Sequence, residues 1–519
     1  MRFHMLLTAS FLFIASGCQT AAPANPLPAP VQGAQQAGQS AEAPGLAAAK
    51  KEEPSKPAMP MSSVKAGLVN PDGTEHKLPD PNPVKGKTLN VVDFGADPAD
   101  DGKDDRPAVA RALQAARPGD EVYFPKGVYA LKSVDSVNRA AHLIMKNGVN
   151  LRGQSRDEVV LDSDFDNRAQ PGGASLLTHS NSAVIDMTGR SGIVISDLTI
   201  SSSWEGTFPT DHKKNSELRG GPKAGIYIDK SGSGPAPSNI WIKRVAVEKF
   251  ERTGVRISKA HDVVVDDCIF RKATDMGGGG AGYGVTFIGT PKFGAKGPAE
   301  DASYNVVQNS KFDGSVSLRH GALLGYAAHH NTVRNNTFDR TRLDSIDLHG
   351  DGESYNEIYG NHVYGTQKGA GIGAGNTGGT PPNNHSAAGP YNHIHHNVIR
   401  NSMDGIVVIM GTPNTLIEHN EIESVSGQPD AAPMRSGITM KHAIGTIVRD
   451  NVIRNETIEK SVGIWLAHDN GDPSNNGLGA GDPQDTKVTG NTLVGHAEAI
   501  KQDAGTGTVI ENNTVSNRP

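Results

Sequence analysis

The chain is 519 residues long, with 20% charged and 5% aromatic residues and a formal net charge of −6. An acidic balance argues against nucleic acid as the main partner. Two cysteines, Cys18 and Cys268, exclude a disulfide framework, and Cys268, inside the apolar run Asp267-Cys-Ile-Phe270, reads as buried filler rather than a nucleophile.

Residues 1–17 begin with Arg2, pass through an apolar run (Met5, Leu6, Leu7, then Phe11–Ala15) and end in Ser16-Gly17 before Cys18. A basic start, a short apolar core and a small-residue end describe an export signal, too short for a mature membrane span. The Ala15-Ser16-Gly17-Cys18 ending resembles the lipobox of bacterial lipoproteins, although Ala15 stands where leucine is commonest. The resemblance implies lipidation of Cys18, attachment to a membrane through that lipid alone, and a place in the cell envelope. Gln19, rather than Asp, points to the outer membrane or cell surface. Residues 18–86, rich in Ala, Pro, Gln, Ser and Lys, bury too little apolar surface to offset chain entropy and read as a disordered tether.

Residues 87–519 then read as one body. Leu89–Ala96 leads through Asp100–Pro107 into Ala108–Ala116, where Asp104 or Asp105 suits a helix N-cap and Val109, Leu113 and Ala116 share a face. Gly119–Tyr129 reads as strand, turn, strand. The motifs Asp93-Phe-Gly-Ala96, Asp101-Gly102, Asp104-Asp105 and Phe124-Pro-Lys-Gly127 resemble the opening of the pectate-lyase superfamily. The resemblance implies an all-β chain, a right-handed single-stranded parallel β-helix closed by a short N-terminal capping helix. The aspartates in this stretch belong to capping and turn chemistry.

Beyond the cap, an Asn-x-apolar turn recurs at Asn336, Asn361, Asn397, Asn420, Asn451, Asn491 and Asn513, which is the signature of a solenoid. Asparagine suits such turns because it tolerates left-handed backbone and bonds a stacked neighbour. Between the turns, strands align on a small residue followed by Ile or Val, beginning at Gly225, Gly254, Gly284, Ser315, Ser345, Gly405, Gly437 and Gly463. The His329-His330, His393 and His395-His396 groups fall in the turn register rather than on a converging face, so no metal set is assigned to them.

Strict alternation on this alignment gives two outward columns: Tyr227, Arg256, Thr286, Ser317, Asp347, Val407, Thr439, Trp465, and Asp229, Ser258, Ile288, Arg319, His349, Ile409, Lys441, Ala467. Arg319 is then expected beside His349, with Asp347 and His320 close by. Proton removal next to a uronate carboxylate needs a cation to hold the growing charge and a base within reach of the proton. Arg319 suits the first role, His349 the second, and Asp347 either the orientation of the imidazole or the binding of sugar hydroxyls. Arg256, Lys441, His442, Trp465, Asp351 and Glu353 are candidates for holding neighbouring sugars by charge, hydrogen bonds and stacking.

Two segments carry narrower resemblances. Leu318-Arg319-His320-Gly321, with Asn331–Asn336 after it, resembles alginate and chondroitin lyases of this fold, which implies a catalytic arginine, a lysine about one coil earlier (Lys292 or Lys296) and calcium on the carboxylate. Asp347-Leu-His349-Gly350-Asp351 resembles the Asp-Pro-His-Asp segment of mannuronan epimerases, from which Leu348 and Gly350 depart. The expected function is a surface-tethered polysaccharide lyase acting on an alginate- or pectin-like polymer by β-elimination, working as a monomer, with calcium a candidate cofactor. A C5-epimerase, a glycoside hydrolase and a non-catalytic glycan-binding β-helix are the alternatives. The insertions at 203–222, 271–283, 289–303 and 376–390 are expected to wall the groove.

Overall fold

A computed structural model describes residues 65–517, apart from 100, 136–138, 166–181, 212–219, 278–279, 290–300, 377–378, 381–382, 426–433 and 458–459. The export signal, Cys18, most of the tether, and Lys292 and Lys296 therefore lie outside the described residues. Among the described residues no helix is long and apolar enough to cross a membrane.

The chain winds as a parallel β-helix. Twelve strands, one per coil, form one sheet in sequence order from Ala141–Ile144 to Glu498–Gln502, and a 25-stranded sheet carries the rest of the coils. All coil-to-coil pairings are parallel, as a solenoid with a constant sense of winding requires. Inward positions stack into a continuous core: Val255, Val285, Ala322, Ile346 and Ile372 are fully buried on successive coils. Phe270, Phe312 and Phe338 stack at centroid distances of 5.1 and 4.5 Å.

The asparagines stack as the sequence predicts, but the left-handed residue of each turn is the one before: Asn335, Gly360, His396, His419, Asp450, Gly490 and Asn512. Asn336, Asn361, Asn397, Asn420, Asn451, Asn491 and Asn513 form one ladder in which each side-chain amide donates to the next Oδ1 at 2.9–3.0 Å. A second ladder runs Asn305, Asn331, Asn356, Asn392. The N-terminal cap is helix α1 (Arg106–Ala115), burying Ala108, Val109, Ala112 and Leu113. Asp105 occupies its N-cap, but its carboxylate accepts from Asp97 N and Ala130 N. Asp104 takes Arg106 N, Lys132 N and Ser133 N.

Residues 65–86, read from sequence as the end of the tether, instead form a strap laid against the coils. Gly67 N donates to Tyr355 O at 2.7 Å, Trp241 Nε1 donates to Pro79 O, and Asn82 and Asn150 exchange hydrogen bonds. His76 pairs with Asp262 at 2.6 Å and stacks on Tyr304 at 3.9 Å. The strap is held by polar and ring contacts, which hydropathy does not register.

The strand register differs from the sequence alignment at two places. The strand after Tyr283–Ile288 is His320–Gly325, not Ser315–Arg319, and pairs Val285 with Ala322 and Phe287 with Leu324. A coil at Ala370–Ala374, absent from the alignment, lies between Ile346–Leu348 and Asp404–Val408. The physical reason lies in the small residue. A Cβ on Gly254 or Gly284 would lie 2.6 or 2.5 Å from the Phe270 or Phe312 ring, so this position faces the core, as does the Val after it. Two consecutive inward residues break the alternation and turn the residue before the pair onto the outer face. Gly321 followed by Ala322 fits that rule.

Candidate active site

In the true register three outward columns face a groove of about 970 Å³ on the twelve-stranded sheet. The column missed by strict alternation is the one before the small residue: Thr253, Tyr283, His320, Asp344, Ala370 and Asp404. The second runs Arg256, Thr286, Leu323, Asp347, Gly373, Val407, and the third Ile288, Gly325, His349, Gly375, Ile409. Leu323, not Ser317, thus precedes Asp347, and Gly325, not Arg319, precedes His349.

His320, Asp344 and Asp347 bring donor atoms within 4.8 Å of one another. Asp347 is fully buried at the floor, and His349 Nδ1 donates to its Oδ2 at 2.7 Å. The Asn376 amide nitrogen lies 2.7 Å from the same ring nitrogen and 3.3 Å from Asp347 Oδ2. His385 closes against His349 at 4.0 Å between ring centroids. Asn376 and His385 come from the predicted wall at 376–390, and Gly280, from the one at 271–283, lines the rim. Gly373, where an added Cβ would stand 3.4 Å from the Asp344 carboxyl and 3.7 Å from Asp347 Oδ1, leaves the space beside Asp347 open.

Burial and the neighbouring Asp347 charge raise the Asp344 pKa well above the ordinary carboxylate value, which favours its protonated form. Burial pushes Asp347 the same way, but the charge and hydrogen bond of His349, with His320 and Asn376, hold it below its usual value as a carboxylate. His320 is pushed down to about 3 by burial, despite Asp347 3.5 Å away, and is neutral. Two adjacent carboxyls driven to opposite protonation states make an acid and a charge-holding partner of a base.

The walls are cationic: Arg252, Arg256, Arg319, Lys368 and Arg435 line the groove. Arg319 precedes its strand and reaches in with Nη1 on Gly277 O at 2.8 Å and its guanidinium 5.9 Å from the Tyr283 ring. The Nε atoms of Arg256 and Arg319 are buried with no partner among the described residues. Arg435 is paired with Asp404.

Five other predicted residues stand elsewhere. Lys441 and Trp465 share this face but lie beyond the groove, with Lys441 Nζ 5.7 Å and Lys501 Nζ 5.1 Å from the indole. His442 sits in a left-handed turn (φ 49°) and bonds Gly479 O at 2.7 Å. Glu353 is buried beneath a turn, where Oε1 accepts from Tyr326 N at 2.6 Å and burial lifts its pKa to about 8. Asp351, in the same turn, accepts from Ser386 Oγ at 3.2 Å and does not line the groove. Sequence reasoning missed Asp344, Arg252, Lys368, Asn376 and His385. For Asp344 the signal was present, since Asp344-Ser345-Ile346 and Asp404-Gly405-Ile406 repeat the same pattern.

Calcium takes six to eight oxygen ligands. The converging donors here are one histidine, one protonated carboxyl and one carboxylate already held by His349, which does not fit calcium. The positive charges that line the groove are those of Arg252, Arg256, Arg319, Lys368 and Arg435.

Two sequence families match the chain: one described as a right-handed β-helix region, over residues 183–386, and one described as rhamnogalacturonase A/epimerase, pectate lyase-like, over residues 88–184. No curated protein matches by sequence. Among solved structures, the Streptococcus pneumoniae surface protein and adhesin PfbA is 15% identical with a TM-score of 0.53, over 83% of this chain and 98% of that one. The Dettilon tailspike protein is 13% identical with a TM-score of 0.53, over 80% and 68%. The PL6 family alginate lyase AlyGC is 13% identical with a TM-score of 0.52, over 79% of this chain and 50% of that one. At these identities the likeness is one of architecture, and the chain is a right-handed parallel β-helix.

Proposed function

We propose that this chain is a polysaccharide lyase that cleaves a uronate-containing polymer by β-elimination. The observation that carries the reading is the neutral Asp344 beside the Asp347–His349 pair on the floor of an arginine-walled groove. Arg319 and Arg256, whose buried Nε atoms have no partner among the described residues, receive the uronate carboxylate and hold the charge that builds on it. His349 in its neutral form, with Nδ1–H held by Asp347, takes the proton from C5 through Nε2 and becomes the imidazolium that the Asp347 carboxylate stabilises. The electron pair forms the C4–C5 double bond and expels the oxygen at C4, which Asp344 protonates. Resemblance of the fold to an alginate lyase is consistent with this chemistry.

The free acid also supports a second reading. If Asp344 returns a proton to C5 from the opposite face, the outcome is C5 epimerisation without cleavage. A retaining hydrolase is disfavoured, because Asp347 is fully buried and spent on His349, and so is not placed as a nucleophile.

Incubation with a panel of polyuronates, followed by ultraviolet absorbance of unsaturated ends, tests the proposal. Absorbance growing with time supports the lyase. Altered uronate stereochemistry by NMR without absorbance selects the epimerase, and no change in any polymer, with or without calcium, sinks both. Export and lipid anchoring through Cys18 complete the proposal, supported by the Ala15–Cys18 motif. Incorporation of labelled fatty acid that Cys18→Ser abolishes is the expected result.

A further inference from the structure

On the larger sheet the strands Glu357–Tyr359 and His393–His395 pair in parallel, with Glu357 opposite His393 and Tyr359 opposite His395. Alternation sends Ile358 and Ile394 into the core and puts Glu357, His393 and His395 on the outer face. That face is closed over here, and His393 and His395 are 2% and 1% exposed. None of the three lines the groove. Donor atoms from all three lie within 4.8 Å of one another.

Each histidine has one ring nitrogen engaged by a group outside the trio. His393 Nε2 is 2.9 Å from Glu418 Oε1, and Glu418 is held in turn by Arg449 at 2.6 Å. His395 Nδ1 lies 2.8 Å from His396 Nδ1. The remaining nitrogens are His395 Nε2, 3.2 Å from Glu357 Oε1, and His393 Nδ1, which is buried with no partner among the described residues.

We propose that Glu357, His393 and His395 form a binding site for a divalent transition-metal ion of the zinc class. Zinc takes imidazole nitrogen and carboxylate oxygen at about 2.0–2.2 Å in tetrahedral geometry, which sets neighbouring ligand atoms about 3.3 Å apart. The 3.2 Å between Glu357 and His395 meets that spacing. Glu418 behind His393 gives the carboxylate–histidine arrangement that fixes ring orientation and tautomer in metal sites. Ring stacking, such as His395 on Tyr359 at 5.0 Å, accounts for the flat packing but not for an orphaned buried nitrogen. The ion would clamp two successive coils. It would also fix the landing point of the strap, since Gly67 packs so closely on Glu357 that a Cβ there would fall 2.5 Å from Oε2.

The test uses the untagged full chain, stripped with chelator, reloaded with zinc or cobalt(II), desalted and assayed for bound metal. One equivalent retained, with the intense visible bands of tetrahedral cobalt and a melting temperature raised by zinc, is the expected result. Glu357→Gln and His395→Gln should each lose the metal and the zinc-dependent shift while keeping the circular dichroism of the metal-free parent. Asp344→Asn, in the groove, should retain both. No retained metal in the folded parent overturns the proposal, as does metal that survives both site variants or is lost in the groove variant.

Discussion

Asp344 and Asp347 are close enough to share a field, yet one is driven neutral and the other stays charged. If Asp344 is the acid, Asp344→Asn should lower kcat by about 10²–10⁴-fold with little change in KM. The sign in pH follows from its raised pKa. Turnover requires the protonated form, so the parent rate falls as pH rises through that pKa, and the residual rate of the variant should lack this limb. A pH–rate profile of parent and variant checks it. Glu353 makes a separate prediction about stability. Its folded pKa of about 8 lies above the unfolded value, so its contribution is most favourable below the unfolded pKa and is lost as pH rises toward 8. Glu353→Gln keeps an acceptor for Tyr326 N and removes the titration. Melting curves from pH 5 to 8 should show the parent losing stability relative to the variant, on the order of a few kcal/mol. Neither carboxyl was legible in its role from sequence. A buried acid beneath a turn and one facing a groove look alike in one dimension, and only the neighbours distinguish them.

At the scale of the coil, the periodic parts were legible and the exceptions were not. Asn336 through Asn513 were readable because each coil repeats the same local demand, a left-handed turn with a side-chain amide stacked on its neighbour. The ladder is cooperative in a checkable way. Asn361 Oδ1 accepts from Asn336 N and Nδ2, and its own amide donates to Val333 O and Asn397 Oδ1, all buried. Asn361→Ala leaves several buried groups unpaired and should cost about 2–4 kcal/mol in chemical denaturation. Asn513→Ala, at the exposed end of the same ladder, should cost under about 1 kcal/mol. Strict alternation failed where Gly and the next apolar residue both turn inward, and that single departure hid the column of His320, Asp344 and Asp404. The Ala370–Ala374 coil turns only Ala370 and Gly373 outward, so no polar side chain marks it in the sequence, and the bareness of Gly373 opens the groove beside Asp347. His393 and His395 show the same limit. They flank a turn in sequence, and only pairing with Glu357 makes them converge.

Over the whole molecule, stacking converts rung number into distance. Trp465 follows Asp347 in one column through Gly373, Val407 and Thr439, four rungs at about 4.8 Å each, or about 19 Å. Its indole lies between Lys441 and Lys501, with Nε1 tied to Asp503 Oδ2 at 2.8 Å, so the ring is fixed and flanked by positive charge. Such a platform suits an acidic sugar: the ring face packs against the pyranose and the ammonium groups meet the carboxylate. It lies too far from the acid–base pair to touch the sugar being cleaved. A polymer threaded along the face would reach it, whereas a short oligosaccharide seated in the groove would not. Trp465→Ala should therefore raise KM for polymer by about tenfold, the loss expected for one aromatic contact, with kcat unchanged. The same substitution should leave both constants for a disaccharide or trisaccharide substrate unaltered. Equal loss on short and long substrates would mean that Trp465 acts through the fold rather than by contact, and the extended tract would then end at Arg435.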